Sequence, residues 1–357
     1  MGANLIVLQS VIAMRAIAKV VVIPVALLMV AVFVLLRDGD RITPYGQGVV
    51  ELEGGKFEAF ALPDYAEAVI DDAYKSYFIE VEPGIKIHVL EVGQGYPVYL
   101  QHGNPTTGLL YRKVAELLPL DRVRVIMPTM VGLGYSTKVP ASEHTLDNHI
   151  RWMNKALSAL HITEVIYVGQ DWGGPVGMGA LSLSPGVLKG AVVMNTGFTA
   201  PRAPMDLSPA HALVKTPLVG EFVVEAMSSF FFKRLAAVQG DPASMPSEVM
   251  DLYRRPLQDS GNAKAALALM RMVPDGPEHA SAPALRDIEK YVNGLDIPVE
   301  LVWGMKDPIL AKGLPVMREI FPAAPVTETE AGHFLQEEVP ETVAEAVMRV
   351  IDVMQKN

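Results

Sequence analysis

The chain has no cysteine in 357 residues. Disulfides, thiolate metal sites and thiol nucleophiles are therefore excluded together, while the redox compartment stays open. Positive charge is also in short supply. Thirty Lys and Arg stand against 40 Asp and Glu, a formal net charge of −10, which argues against a basic footprint and hence a nucleic-acid partner. The eight histidines show neither HExxH nor any comparable metal-ligand spacing, so no metal is expected. Internal repeats and low-complexity tracts are lacking too. What is present is apolar: hydrophobic residues make up 50% of the chain and charged residues 20%. That composition suits a large buried core, in one large α/β domain or two ordinary ones.

The longest apolar run lies near the amino end. Val20 to Leu36 carries no charge, and the apolar character reaches back to Ala16 and Ile17. Arg15 and Lys19 precede it; Arg37, Asp38, Asp40 and Arg41 follow. About 20 apolar residues span a bilayer core, so residues 16–36 are expected to form a single-pass anchor, with the lipid bilayer as partner and residues 1–15 ahead of it. A cleaved signal peptide and a docked soluble helix are the other readings; the run is long for a signal and no small-x-small site follows it. The leading basic residues favour an N-inside orientation, with the domain outside the cytoplasm.

Residues 37–73 mix Gly, Pro and acidic side chains and read as a linker. Then the period changes. Ile85, Ile87 and Val89 alternate with polar residues, as in a half-buried strand. Val98–Leu100, Val123–Met127, Val165–Val168, Ala191–Met194 and Val299–Trp303 are short apolar runs, with helical stretches such as Leu109–Leu118 and Leu146–Leu160 between them. This alternation predicts a mostly parallel sheet covered by helices on both faces. The core is expected over residues 74–200 and 284–357. Residues 201–283 hold no strand run and read as an inserted helical lid over the strand ends.

The chemistry-bearing motifs sit at the predicted strand ends. Gly169-Gln-Asp171-Trp172-Gly173-Gly174 follows an apolar strand directly and precedes a helix-compatible stretch. This is the Gly-x-nucleophile-x-Gly turn, with Asp where esterases carry Ser. A carboxylate needs no deprotonation at neutral pH and can attack carbon to form an ester. An Asp capping a helix in a Gly-rich turn is the plainer reading. Three other motifs weigh against it: Gln101-His102-Gly103-Asn104-Pro105-Thr106 after a strand, Asp307 just past another, and Ala331-Gly-His333-Phe334 beyond that. Nucleophile, acid, histidine is the chain order of α/β-hydrolase triads.

On these motifs the chain, from about Tyr77 to Val350, resembles the haloalkane dehalogenases of the α/β-hydrolase fold. The resemblance implies Asp171 as nucleophile, His333 as base and Asp307 as acid. It also implies that Trp172 and Asn104 hold the departing halide through side-chain N–H groups and form the oxyanion hole through backbone N–H groups. The three Trp residues are 152, 172 and 303, so the predicted lid supplies none, and Asn104 with Trp172 is the halide pair that remains. One branch of the family carries a Glu acid at the position of Asn195, which cannot serve as an anion; Asp307 can. Thr129 departs from the family, whose members commonly have Pro-Asp where Pro128-Thr129 stands.

The implied reaction is hydrolysis of haloalkanes to alcohol and halide through an aspartyl-alkyl ester, with water and a small apolar substrate as the only reactants and no cofactor. Tyr253, Phe198, Phe222 and Phe231 are candidates for an apolar lid pocket, with ordinary packing as their other reading. The closest alternative is a β-lactone decarboxylase of long-chain olefin synthesis, which resembles the same branch. Epoxide hydrolases come next, but they need lid phenols, and between Pro201 and Asp296 the chain has only Tyr253 and Tyr291. A non-catalytic ligand-binding member of the fold is the reading from a different class; an intact triad argues against it.

Overall fold

The structure is a computed structural model and describes residues 23–356. In chain order its strands are β1 Val49–Leu52, β2 Gly55–Ala59, β3 Lys75–Glu82, β4 Ile85–Gly93, β5 Tyr96–Gln101, β6 Val123–Pro128, β7 Val165–Gln170, β8 Leu188–Met194, β9 Val299–Gly304 and β10 Val326–Thr329. The α-helices are α1 Ile23–Leu36, α2 Asp64–Glu67, α3 Arg112–Glu116, α4 Leu146–Ala159, α5 Gly173–Ser182, α6 Pro209–Lys215, α7 Ser228–Arg234, α8 Ser247–Asp259, α9 Lys264–Arg271, α10 Ala282–Asn293, α11 Leu314–Ile320, α12 Leu335–Glu338 and α13 Pro340–Met354.

The strands form one sheet in the order β1-β2-β3-β4-β6-β5-β7-β8-β9-β10. The pairings up to β4–β6 are antiparallel, and those from β6–β5 onward are parallel. The parallel strands are mainly apolar, and β7, β8 and β9 are buried through almost every residue, as a sheet covered on both faces requires. Helix α4 shows how the cover is made. Thr145 caps it by accepting the Asn148 N–H (3.2 Å), and Leu146, Ile150, Met153 and Leu157 form one buried stripe at helical spacing. It packs on α5 and β3, while α13 covers β8 and β9. The chain reverses direction of travel through the sheet at β5, whose neighbours are β6 and β7. Such a switch point opens a crevice beyond the carboxyl ends of the strands.

Three expectations are corrected here. The stretch 37–73 read as a linker holds β1 and β2, an antiparallel hairpin that joins β3 and lengthens the sheet. Strand β4 is buried on both faces, not one. Its polar residues find partners inside: His88 faces the Ser76 hydroxyl (2.9 Å) among the rings of Phe60, Phe78 and Tyr135, and Glu91 takes a two-pronged contact from Arg124 (2.8 and 3.0 Å). The third correction concerns the expected membrane anchor and bilayer partner over residues 16–36. The described helix, α1, has 14 residues, about 21 Å at 1.5 Å per residue, against about 30 Å for a bilayer core. Among the described residues no helix is long and apolar enough to cross a membrane. Residues 16–22 of that expectation lie outside the described residues.

Between β8 and β9 the chain is helical, from α6 to α10 with a π-helical turn over Glu221–Ala226. A buried polar cluster ties this segment to the rest. Arg112 on α3 donates to both oxygens of Glu337 on α12 (2.6 and 3.0 Å), and the Tyr253 hydroxyl of α8 donates to the same carboxylate (2.8 Å). Burial pushes the Glu337 carboxyl up, but the charges of Arg112 and Lys113 outweigh it and hold it below the usual range. Removing one partner of a buried pair costs about 3–5 kcal/mol because the other charge is stranded. Lys113 also reaches Glu337 (3.0 Å), so Arg112→Met is expected to cost about 3 kcal/mol, the low end of that range, measured by equilibrium denaturation. Tyr253→Phe is expected to cost about 1 kcal/mol in the same experiment.

Candidate active site

Asp171 stands between β7 and α5 with a φ of 52°, the left-handed region that L residues with a side chain rarely enter. The turn is held from below. The Asp171 N–H donates to the Asn195 carbonyl (2.9 Å) and the Thr196 hydroxyl donates to the Asp171 carbonyl (2.7 Å). Gly173, next but one in the chain, lies so close to the Gln101 carbonyl that a Cβ there would overlap it, which is why the turn carries glycine. The result lifts the Asp171 carboxylate above the sheet, where the loop after β5 meets it.

That loop is the His102-Gly103-Asn104-Pro105 turn. The Asn104 N–H donates to Asp171 Oδ1 (2.8 Å), and the neighbouring Trp172 backbone N–H also favours the charged carboxylate. His102 braces the turn: its Nδ1 faces the Gly103 carbonyl (2.8 Å), and its Nε2 accepts the Met130 N–H (2.9 Å). Burial lowers its pKa to about 4, so it stays neutral and can accept at Nε2. Thr129, where the family commonly has Asp, is buried and bonded on three sides. Its N–H goes to the His88 carbonyl (2.8 Å), its carbonyl accepts from Ser136 (2.7 Å), and its hydroxyl accepts the Gly108 N–H (3.1 Å). The neutral hydroxyl thus completes the loop without a charge.

The other carboxylate oxygen faces His333. Nε2 of His333 lies 3.8 Å from Asp171 Oδ2, and Nδ1–H donates to Asp307 Oδ2 (3.0 Å). Gaps of 3.8 Å are too long for a hydrogen bond. Nε2 of His333 is therefore close to Asp171 without a hydrogen bond to it. Asp307 is fixed in turn by the Ile309 N–H (2.7 Å) and by the Asn195 side-chain amide (2.9 Å). Gln170 donates to the His333 carbonyl (2.9 Å) and lies 3.3 Å from ring Nε2. Asn195 and Gln170 are two site residues that the sequence reading missed in this role. Their signal was position: Gln170 ends β7 and Asn195 follows β8 directly, where the chain enters the site.

The charges shape one another. Burial pushes the Asp171 carboxyl above its ordinary value, against the pull of His333 and the two backbone N–H groups. Burial lowers His333, but the Asp307 charge and hydrogen bond, with help from Asp171, override it and raise its pKa. Asp307 itself is raised by burial and lowered further by His333 and its donors, ending below the usual range.

Two residues next to this carboxylate, Trp172 and Asn104, carry side-chain donors. Trp152 and Trp303 spend their indole N–H groups on Glu82 (3.1 Å) and the Ala311 carbonyl (3.0 Å); that of Trp172 has no acceptor among the described residues. The Asn104 amide donates one N–H to the Ala266 carbonyl of α9 (3.0 Å) and keeps a second. The lid-pocket candidates fall in different places. Phe198 is fully buried, edge-on to Phe321; Phe231 is half-buried against Phe232; Phe222 is half-exposed. Tyr253 is fully buried with its hydroxyl on Glu337, so its polar end serves that cluster. Among the described residues no group of three or more His, Cys, Asp or Glu is placed to hold a metal ion.

A nucleophile elbow at a sheet switch point, with an acid and a histidine on later loops, defines the class, and the alpha/beta hydrolase fold family model matches residues 96–340. The chain belongs to that family. Among its relatives, haloalkane dehalogenase 2 of Mycobacterium bovis is 28% identical over 270 residues, 74% of this chain and 90% of the relative. The cis-3-alkyl-4-alkyloxetan-2-one decarboxylase of Shewanella oneidensis is 29% identical over 279 residues, 76% of this chain and 86% of the relative. Among solved structures, the haloalkane dehalogenase DatA of Agrobacterium tumefaciens C58 superposes with a TM-score of 0.71 at 25% identity, covering 81% of this chain and 99% of that one.

The His333–Asp307 contact makes a direct prediction. His333 should titrate above the ordinary 6.5, read as the NMR chemical shift of its ring protons against pH. Asp307→Asn removes the charge that stabilises the imidazolium, so the midpoint should drop. An unchanged midpoint would mean that Asp307 does not set the charge state of His333.

Proposed function

We propose that this site hydrolyses the carbon–halogen bond of small apolar haloalkanes. The observation that carries the reading is the Trp172 indole N–H. It belongs to the residue directly after Asp171, has no acceptor among the described residues, and adjoins a carboxylate raised on a left-handed turn, so it is a candidate donor for a departing anion. In the first step an Asp171 oxygen attacks the halogen-bearing carbon, a C–O bond forms, and the halide leaves with the bonding pair. Trp172 and the free N–H of Asn104 hold the halide as its charge grows; aimed donors of this kind are worth about 3 kcal/mol each in a water-poor site. In the second step His333 Nε2 takes a proton from water as its oxygen adds to the ester carbonyl. The Asn104 and Trp172 backbone N–H groups hold the oxyanion, and Asp307 stabilises the imidazolium. Alcohol leaves, the Asp171 carboxylate returns, and His333 passes its proton to solvent. The helical segment over residues 201–283 serves as a lid, and residues 74–200 with 284–357 as the core beneath it. The dehalogenase relatives named above support this reading.

One relative favours a second: the decarboxylase of Shewanella oneidensis is as similar as the dehalogenases. The same Asp171 and His333 would then act on a β-lactone, releasing carbon dioxide and an alkene. Epoxide opening has less support. It needs a free phenol over the site, and the Tyr253 hydroxyl is already given to Glu337.

Halide release from 1-bromohexane, run beside alkene release from a long-chain cis-β-lactone, separates the two readings: dehalogenation predicts the first and little of the second. Two variants test the steps. Asp171→Asn should lose turnover by at least about four orders of magnitude, as removal of a covalent nucleophile does. His333→Ala should accomplish one attack and stop, so that intact-protein mass rises by one alkyl group after exposure to 1-bromohexane. No mass gain in His333→Ala, with wild type releasing bromide, would overturn the ester intermediate.

A further inference from the structure

The chain just after α1 grips the helix that holds Asn104. Residues 38–42 run as a strap across the molecule. On one side they are fastened to the loop at 138–142. The Ala141 N–H donates to the Asp38 carbonyl (2.7 Å), the Ser142 N–H and hydroxyl donate to the Asp38 carboxylate (2.8 and 2.6 Å), and Ile42 pairs with Lys138 through two backbone bonds (2.9 Å each). On the other side they meet the start of α9. The buried Asn262 side chain donates to the Asp40 carbonyl (2.7 Å) and to the Val139 carbonyl (3.3 Å), while its Oδ1 accepts the N–H of Lys264, the first residue of α9 (3.1 Å). Lys264 reaches back to the Leu35 carbonyl at the end of α1 (2.9 Å) and pairs with Glu225 (2.7 Å). Gly39, at a φ of 94°, passes so near that a Cβ would come within 3.1 Å of both the Asn262 amide and the Lys264 stem.

Two residues further along α9 lies Ala266, whose carbonyl takes the Asn104 amide. That bond fixes the plane of the amide and hence the direction of its second N–H; Asn104 Oδ1 has no partner to resist a rotation. We infer that Asn262, clamped between the strap and α9, is a positioning residue that aims the Asn104 amide at the leaving-group position. The segment before the family fold thereby sets the strength of the anion cradle. This rests on the reading of Asn104 as a leaving-group donor. Its physical basis is the sensitivity of aimed donors: a shift of about 1 Å in a supporting element can cost orders of magnitude in rate.

Asn262→Asp is the informative variant. It keeps an oxygen for the Lys264 N–H and adds a charge that suits a helix start, but it removes both donors to the strap and loop. Bromide binding is read by quenching of Trp fluorescence in the full chain, and looseness of α9 by amide hydrogen exchange. The variant should weaken bromide binding about fivefold and speed exchange across α9 about tenfold. In an Asn104→Ala background the same change should weaken bromide binding no further, since the effect acts through that amide. Lys264→Met, which keeps the apolar stem and loses the Leu35 contact, is the second variant should Asn262→Asp not fold, with the same expectations.

A folded variant with a lower melting temperature but unchanged bromide affinity overturns the inference, because a merely structural clamp would do that. So does an equal, additive loss in the Asn104→Ala background. If wild type binds no bromide, or Asn104→Ala binds it as well as wild type, the donor reading of Asn104 fails instead. Exchange across α9 then decides the clamp alone: faster exchange upholds it and unchanged exchange removes it.

Discussion

The site depends on holding one aspartate in a backbone conformation it would not choose. A left-handed φ costs a residue with a side chain about 1–2 kcal/mol, and Asp171 at 52° carries that strain permanently. Neighbouring strands supply the restraint. Asn195 and Thr196, just past β8, take the Asp171 N–H and bond its carbonyl, so the sheet itself over-determines the turn. Relaxing the turn would swing the carboxylate away from the Asn104 and Trp172 N–H groups and from His333 at once. The switch in strand order at β5 matters for the same reason: it sets the loops after β5 and β7 side by side, and so brings the Asn104 N–H to the Asp171 carboxylate.

Around this point the electrostatics are divided between two oxygens. Asp171 Oδ1 is bound by a backbone N–H, while Oδ2 looks toward an imidazole 3.8 Å away. Backbone N–H groups stabilise the anion and burial destabilises it; burial prevails. The carboxylate is thus ionisable yet poorly solvated, which is the condition for attack on carbon. Asp307 lies in the opposite regime. More deeply buried than Asp171, it is repaid by His333, Asn195 and the Ile309 N–H and stays the more acidic of the two. Two carboxylates with pKa values pushed apart by their surroundings is the usual sign that they hold different roles.

Much of this could be read from the sequence because it is local. Gly169–Gly174, His102–Thr106, Asp307 and His333 are each fixed by a turn at a strand end, and apolar runs mark the strands themselves. What escaped is non-local. Nothing near Tyr253 in the chain indicates that Glu337 will meet its hydroxyl, and nothing near Asn195 indicates that its amide will hold Asp307 across two strands. Strand β4 misled for a related reason: alternation of polar and apolar residues normally marks a face in water. Here His88 and Glu91 are polar residues with buried partners. Apolar length misled at the amino end, where among the described residues no helix is long and apolar enough to cross a membrane.

The choice of aspartate over serine also changes what the histidine must do. A serine must lose a proton to attack, so its histidine has to sit within hydrogen-bond reach of it. An aspartate arrives ionised, and a histidine bonded to it would only lower its nucleophilicity. The 3.8 Å separation, with Asp307 holding Nδ1 of the ring and Gln170 bonding the His333 carbonyl, fits the second requirement. On the proposed reading the imidazole makes no hydrogen bond to Asp171 during attack, and Nε2 in its neutral form can take the proton of the water that must reach the ester carbon afterwards. The leaving group then needs stabilisation from somewhere other than a protonated histidine. On that reading the demand falls on Trp172 and Asn104, and the aim of a single amide, and of the helix that holds it, would then bear on the rate.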